Sequence, residues 1–253
     1  MAISKIIFLG FVGLFNLILW PIVMLNDKDQ ILLNFLYLTL LNFTLCTIYF
    51  IFRFIFEIKI FFNTGKNNDI SIEIVKNNCI FKFINTHFSK FVFSICITVC
   101  QVYWLLILGG EKLMIFPQEN FFMKFLGVYL HLIIGIFMYI DMHFIEITLN
   151  KKHYYRDFFI FNSIQISYSI LLTFLAKNFK SCLIYPFLEL DFSQIFSINI
   201  VIMFAYKNSY QFYHHIHKRN KRKLEYNNNF NNTLESQKTG ISFEKPFLYL
   251  EKN

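Results

Sequence analysis

The sequence predicts an all-α fold: a polytopic membrane protein built as a bundle of six transmembrane helices. Three observations lead there. Of the 253 residues, 56% are hydrophobic and only 16% are charged, against about 25% charged in a soluble domain. Apolar runs near the length that crosses a bilayer, about 20 residues, recur along the chain. Lys and Arg are divided unequally between alternate connections, with 19 of the 24 on one side. One soluble core of this size would leave much of the Leu, Ile and 35 Phe in water, which excludes an ordinary cytosolic enzyme. With only 8 Gly and 4 Pro, a disordered or collagen-like chain is excluded as well.

The six runs are Ile6–Leu25, Ile31–Phe52, Phe91–Leu108, Phe125–Leu149, Phe158–Ala176 and Phe192–Ala205, the last with a polar extension to about Phe212. The first reads as a signal anchor, because its apolar core is long, it runs into Trp20-Pro21 and no small-x-small cleavage site follows. The side carrying the positive excess holds the N-terminus, a 53–90 loop, a 150–157 loop and the tail. Both termini are therefore expected in the cytosol. Residues 1–217 form the expected six-helix transmembrane domain, and 218–253 a basic, then disordered, cytosolic tail. Lys218-Arg219-Asn220-Lys221-Arg222-Lys223 directly follows the last span and suits anionic inner-leaflet lipid better than nucleic acid. Between Phe52 and Phe62, apolar residues alternate with Arg53, Glu57 and Lys59, as in a helix extension lying at the cytosolic interface. Cys46, Cys96 and Cys100 fall inside spans, Cys79 in the cytosol and Cys182 alone outside, so no disulfide framework is possible.

Polar groups inside the apolar runs are costly and therefore informative. Spans two and four both run inward from the outer face. Thr39 lies eight residues into its span and His131 six residues into its own, depths of about 12 and 9 Å at 1.5 Å per residue. The two can share a level, and a hydroxyl beside an imidazole is the minimum equipment of a base-activated nucleophile. Thr44 and Thr47 are read as bonding their own helix. Asp141, His143 and Glu146 fall near the cytosolic end of span four, with His143 and Glu146 one turn apart. No nucleophile elbow, zinc helix or P-loop occurs. Met114-Ile115-Phe116-Pro117 and Tyr185-Pro186-Phe187-Leu188-Glu189 put aromatic and Pro turns at the outer interface.

Four pieces together resemble the androgen-induced protein family. These are Phe35-Leu36-Tyr37-Leu38-Thr39-Leu40-Leu41-Asn42, then Tyr103-Trp104 followed by Glu111 and Met114-Ile115-Phe116-Pro117, then His131, 14 residues after Pro117, and Tyr185-Pro186-Phe187-Leu188-Glu189. The resemblance implies a multi-pass membrane hydrolase that cleaves fatty acid esters of hydroxy fatty acids with a Thr nucleophile and a His. Carried onto this chain, those roles fall on Thr39 and His131. Asn42, Gln101, Trp104, Tyr185 and Glu189 are the expected substrate-pocket residues, with Asn42 or Gln101 as oxyanion donor. No metal or organic cofactor is needed. The partner is a lipid substrate with two acyl chains, reached within the bilayer of the endoplasmic reticulum, another endomembrane or the plasma membrane. The chain departs from the family pattern at Val128 (an additional His in vertebrate members), Cys46 (commonly Gln), and Lys177, Asn178 and Leu183 ahead of the Y-P-F-L-E stretch. Two other classes stay open on the residues alone: a small-solute carrier with Asp141, His143 and Glu146 on its path, and a non-catalytic membrane regulator.

Overall fold

The computed structural model describes residues 2–24, 38–64, 77–109, 121–144, 200–220 and 222, with short helical pieces at 156, 158–160, 162–164, 166–168, 170–171 and 174. Every regular element among them is helical. α1 is Ala2–Met24 and α2 is Leu38–Thr64. α3 is one continuous rod of Cys79–Phe83, a π-helical turn Ile84–Phe88, and Ser89–Gly109. α4 repeats that plan with Phe121–Val128, a π-helical turn Tyr129–Ile133, and Ile134–Met142. α5 covers 200–220. Among the described residues three stretches are long and apolar enough to cross a membrane: Ile3–Met24, Cys79–Trp104 and Phe125–Met142.

The connection expected over 53–90 is much shorter than the charge pattern suggested. α2 continues to Thr64 and α3 begins at Cys79. The early start has a local cause: Asn78 caps it, its Oδ1 accepting from the amides of Ile80 and Phe81 at 2.9 and 3.3 Å. The helix extension expected from Phe52 to Phe62 is present, but Arg53 on it does not face outward. It is 2% exposed, because its guanidinium turns inward to partners on three helices.

Helices α1 to α4 alternate in direction. Along α1 and α2, Lys5 meets Glu57, Gly10 faces Phe54, Gly13 faces Phe50 and Trp20 meets Thr44, so the partners advance on one helix as they retreat on the other. Gly10 allows this approach, since a Cβ there would stand 2.7 Å from the Phe54 ring. α2 and α3 are antiparallel by the same reading, with Tyr49 against Phe88, Arg53 against Asn85, and Phe56 against Phe81. α2 and α4 are parallel, because Thr39 meets His131 and Tyr49 meets Asp141 at one offset of 92 residues. α3 meets α5 through Ser89 with Tyr213 and Thr98 with Ser209.

Tyr129 fills the centre. Its ring lies 5.2 Å from Phe15, 6.3 Å from Phe43 and 6.4 Å from Phe137, and its hydroxyl donates to the buried Asn16 of α1. The opposite face of α1 exposes Ile3, Ile7, Phe11, Leu14, Ile18 and Ile22, an apolar stripe suited to lipid rather than water.

Candidate functional site

Thr39 sits at the start of the described part of α2, and His131 sits in the π-helical turn of α4. The parallel register of these helices brings Thr39 Oγ1 to 3.1 Å from His131 Nε2. The other ring nitrogen, Nδ1, lies 2.7 Å from the Gly127 carbonyl oxygen. A carbonyl can only accept, so Nδ1 carries the proton and donates it. Nε2 is then the bare nitrogen, and the Thr39 hydroxyl donates to it. The tautomer is fixed by a main-chain group in the role a carboxylate fills in a triad.

The ring plane has its own restraint. Tyr103 of α3 stacks on the His131 imidazole with centroids 3.7 Å apart and planes 13° apart. Trp104 packs edge-on against Tyr103 at 5.7 Å. His131 is 4% exposed while Thr39 is half-buried, so the imidazole is shielded more completely than the residue it meets. The π-helical turn supplies one extra residue to α4, rotating the remainder of the helix by about 100° relative to a regular one. Such turns occur often where a helix must aim a particular side chain.

Asn42, about one turn beyond Thr39, is completely buried. Its Oδ1 accepts from the Cys46 thiol at 3.6 Å. Its Nδ2 makes no hydrogen bond of good geometry among the described residues, an uncommon state for a buried amide, and the Cys96 thiol of α3 is its polar neighbour. Of the other residues expected at the pocket, Trp104 reaches the site through Tyr103. Gln101 lies on the exposed side of α3 and is not brought to the pair. Tyr185 and Glu189 lie outside the described residues. Tyr103 was not among the residues expected at the pocket; the signal for it in the sequence was its place in the Tyr103-Trp104 piece of the family resemblance.

Thr44 and Thr47 bond their own helix, donating to the carbonyls of Leu40 at 3.0 Å and Phe43 at 2.8 Å. Thr44 also accepts from the Trp20 indole at 2.9 Å. Cys96 and Cys100 pack against the close approach of α4, where a Cβ on Gly135 would meet Cys100 Sγ at 2.8 Å.

A second polar region lies ten residues further along both α2 and α4. The Tyr49 hydroxyl donates to Asp141 Oδ2 at 2.5 Å. Arg53 Nη2 lies 3.4 Å from Asp141 Oδ1, and Nη1 donates to Asn85 at 2.7 Å and to Glu57 at 3.0 Å. Lys5 closes the group with a 2.6 Å contact to Glu57. Asn85 sits in the π-helical turn of α3. Asp141 was expected near the end of its span; it is wholly buried and engaged by two donors. His143 is exposed and lies edge-on to Tyr139 at 4.9 Å, and the Glu146 expected beside it falls outside the described residues.

No individually curated protein and no solved structure matches the chain. A family model does, that of the FAR-17a/AIG1-like proteins, over residues 5–218. That match takes in both polar regions and the helices that carry them. The chain belongs to the FAR-17a/AIG1-like family, the androgen-induced gene 1 family.

Proposed function

We propose that this protein is a membrane-embedded lipid esterase that hydrolyses fatty acid esters of hydroxy fatty acids, with Thr39 as nucleophile and His131 as base. The observation that carries the reading is the 3.1 Å contact from Thr39 Oγ1 to an His131 Nε2 left bare by the Nδ1 bond to Gly127. Family membership supports it. The hydroxyl is poised to give its proton to Nε2 as Oγ1 attacks the ester carbonyl carbon. The tetrahedral intermediate expels the hydroxy fatty acid alkoxide, which takes the proton back from Nε2. Water then attacks the acyl-threonine, delivers its own proton to Nε2, and the departing Oγ1 recovers it as the second fatty acid leaves. One water is consumed and the pair returns to its starting state.

The Nδ2 of Asn42 is the donor best suited to the oxyanion, because a buried N–H without a hydrogen bond of good geometry gains a full one when charge develops beside it. A substrate with two acyl chains suits a site with apolar surface on its approach, and Trp104, Val128 and Leu132 supply it. The bundle is read as six spans with both termini in the cytosol, in the endoplasmic reticulum, another endomembrane or the plasma membrane. In that arrangement the basic run after Lys218 meets anionic inner-leaflet lipid.

The test is covalent labelling of the purified full chain with a fluorophosphonate or an acyl-ester probe. The label is expected on Thr39 by peptide mapping and is expected to vanish in Thr39→Ala. Hydrolysis of a fatty acid ester of a hydroxy fatty acid should vanish with it. Labelling and turnover unchanged in both Thr39→Ala and His131→Ala would remove these residues from the chemistry.

A further inference from the structure

We infer that Tyr103 is the positioning residue of the His131 base, fixing the imidazole plane and supporting its charged form, a role for which no carboxylate stands beside the ring among the described residues. The inference rests on the esterase reading above and adds a residue to it. An imidazole has two torsions to restrain. The Gly127 carbonyl, 2.7 Å from Nδ1, restrains where one edge of the ring points. It leaves the plane free to tilt about that bond. The Tyr103 ring, parallel to within 13° at 3.7 Å, removes the tilt, so Nε2 is held toward Thr39.

The stack also acts on charge. When the Thr39 proton reaches Nε2, His131 becomes a cation lying on the face of a phenol ring, well inside the roughly 6 Å over which such a face attracts one. Among the described residues the acidic groups are Glu57 and Asp141, and both are engaged by Arg53 in the second polar region. Among the described residues the imidazolium therefore has an aromatic face and a carbonyl beside it, with no carboxylate in contact. Tyr103 is itself steadied by the edge of Trp104 at 5.7 Å. Its hydroxyl points along α4 to a position 3.7 Å from where a Gly127 Cβ would stand, away from the Thr39 side of the ring. The ring rather than the hydroxyl therefore performs the role, and phenylalanine should serve.

The experiment compares Tyr103→Phe, Tyr103→Leu and Tyr103→Met in the full chain, assaying hydrolysis of a fatty acid ester of a hydroxy fatty acid. Tyr103→Phe is expected to keep kcat within about threefold of the parent, while Leu and Met lower it on the order of tenfold with KM unchanged. A second readout needs no turnover: in protein carrying 13C-labelled histidine, the His131 Hε1 signal is assigned by its absence in His131→Ala. That signal should be displaced upfield by the ring current in the parent and in Tyr103→Phe, and relaxed in Leu and Met. Should Tyr103→Leu fail to fold, Met and the Hε1 signal carry the comparison. Parental kcat in Leu or Met, equal loss in Phe and Leu, or a change confined to KM would each overturn the inference. Turnover insensitive to Thr39→Ala would overturn the esterase reading instead, and the Hε1 comparison would then decide alone whether Tyr103 orders the imidazole.

Discussion

The Thr39–His131 contact and the Tyr49–Asp141 contact join the same two helices at the same 92-residue offset, about 15 Å apart along the axis, yet they treat their polar groups in opposite ways. Around Asp141 the groups are mutually engaged. The carboxylate receives a phenol and a guanidinium, the guanidinium reaches three acceptors, and only Arg53 Nε lacks a partner among the described residues. Around His131 the groups have capacity to spare, with a half-buried threonine, a proton ready to move and, among the described residues, an amide donor without a well-aligned acceptor at Asn42. A saturated network holds helices together. An unsaturated one has something left to offer a ligand.

The comparison breaks if activity and stability do not separate between the two regions. The largest expected effect is on turnover: Thr39→Ala and His131→Ala should each lower kcat by about a thousandfold or more, with thermal midpoints in detergent near the parent's. Asn42→Ala should come next, at about a hundredfold in kcat. Asp141→Ala should do the reverse, costing about 3–5 kcal/mol of stability because Arg53 is left buried beside no carboxylate. The folded fraction should keep its specific activity, as read by denaturant titration alongside active-site labelling.

A smaller effect is expected beyond the apolar runs, at His217 of α5. Burial, and then the neighbouring His214, Lys90 and His143, push its imidazole from the ordinary 6.5 down to about 4. The folded chain therefore binds this proton less readily than the unfolded chain does. Its contribution is intact above about 6.5 and is lost as pH falls from there toward about 4. His217→Leu should flatten the pH dependence of the melting temperature in that window while leaving the Thr39 label unchanged. The smallest effect is expected at Gly127→Ala, where among the described residues the added methyl meets nothing nearer than the Tyr103 hydroxyl at 3.7 Å. Turnover there should stay within about twofold, since the Gly127 carbonyl that orients His131 is main chain.

What the sequence revealed of the site came from the family resemblance, which named the pair, and from helix geometry, which is local and regular. A fixed rise per residue put Thr39 and His131 at similar depths, and alternation of spans made their helices parallel. The rotation of each helix about its own axis is not local. The inward turn of Arg53, the exposed side of Gln101 and the Tyr103 stack were therefore all invisible in the sequence. The extra residue in each π-helical turn, at Asn85 and at His131, leaves no signature in apolar periodicity. Asn78, by contrast, is a cap residue of a familiar type, and it explains an early start of α3 that charge counting alone had assigned to a loop.

The shared offset also constrains how the chain can change. Removing or adding one residue between His131 and Asp141 would slide one of the two contacts by about 1.5 Å and swing it by about 100°, while the other stayed in place. Length variation in that stretch of α4 is therefore tolerable only when α2 changes by the same step between Thr39 and Tyr49. The two helices behave as a matched pair of rulers, and a relative that lengthened only one of them would have to give up either its anchor or its chemistry.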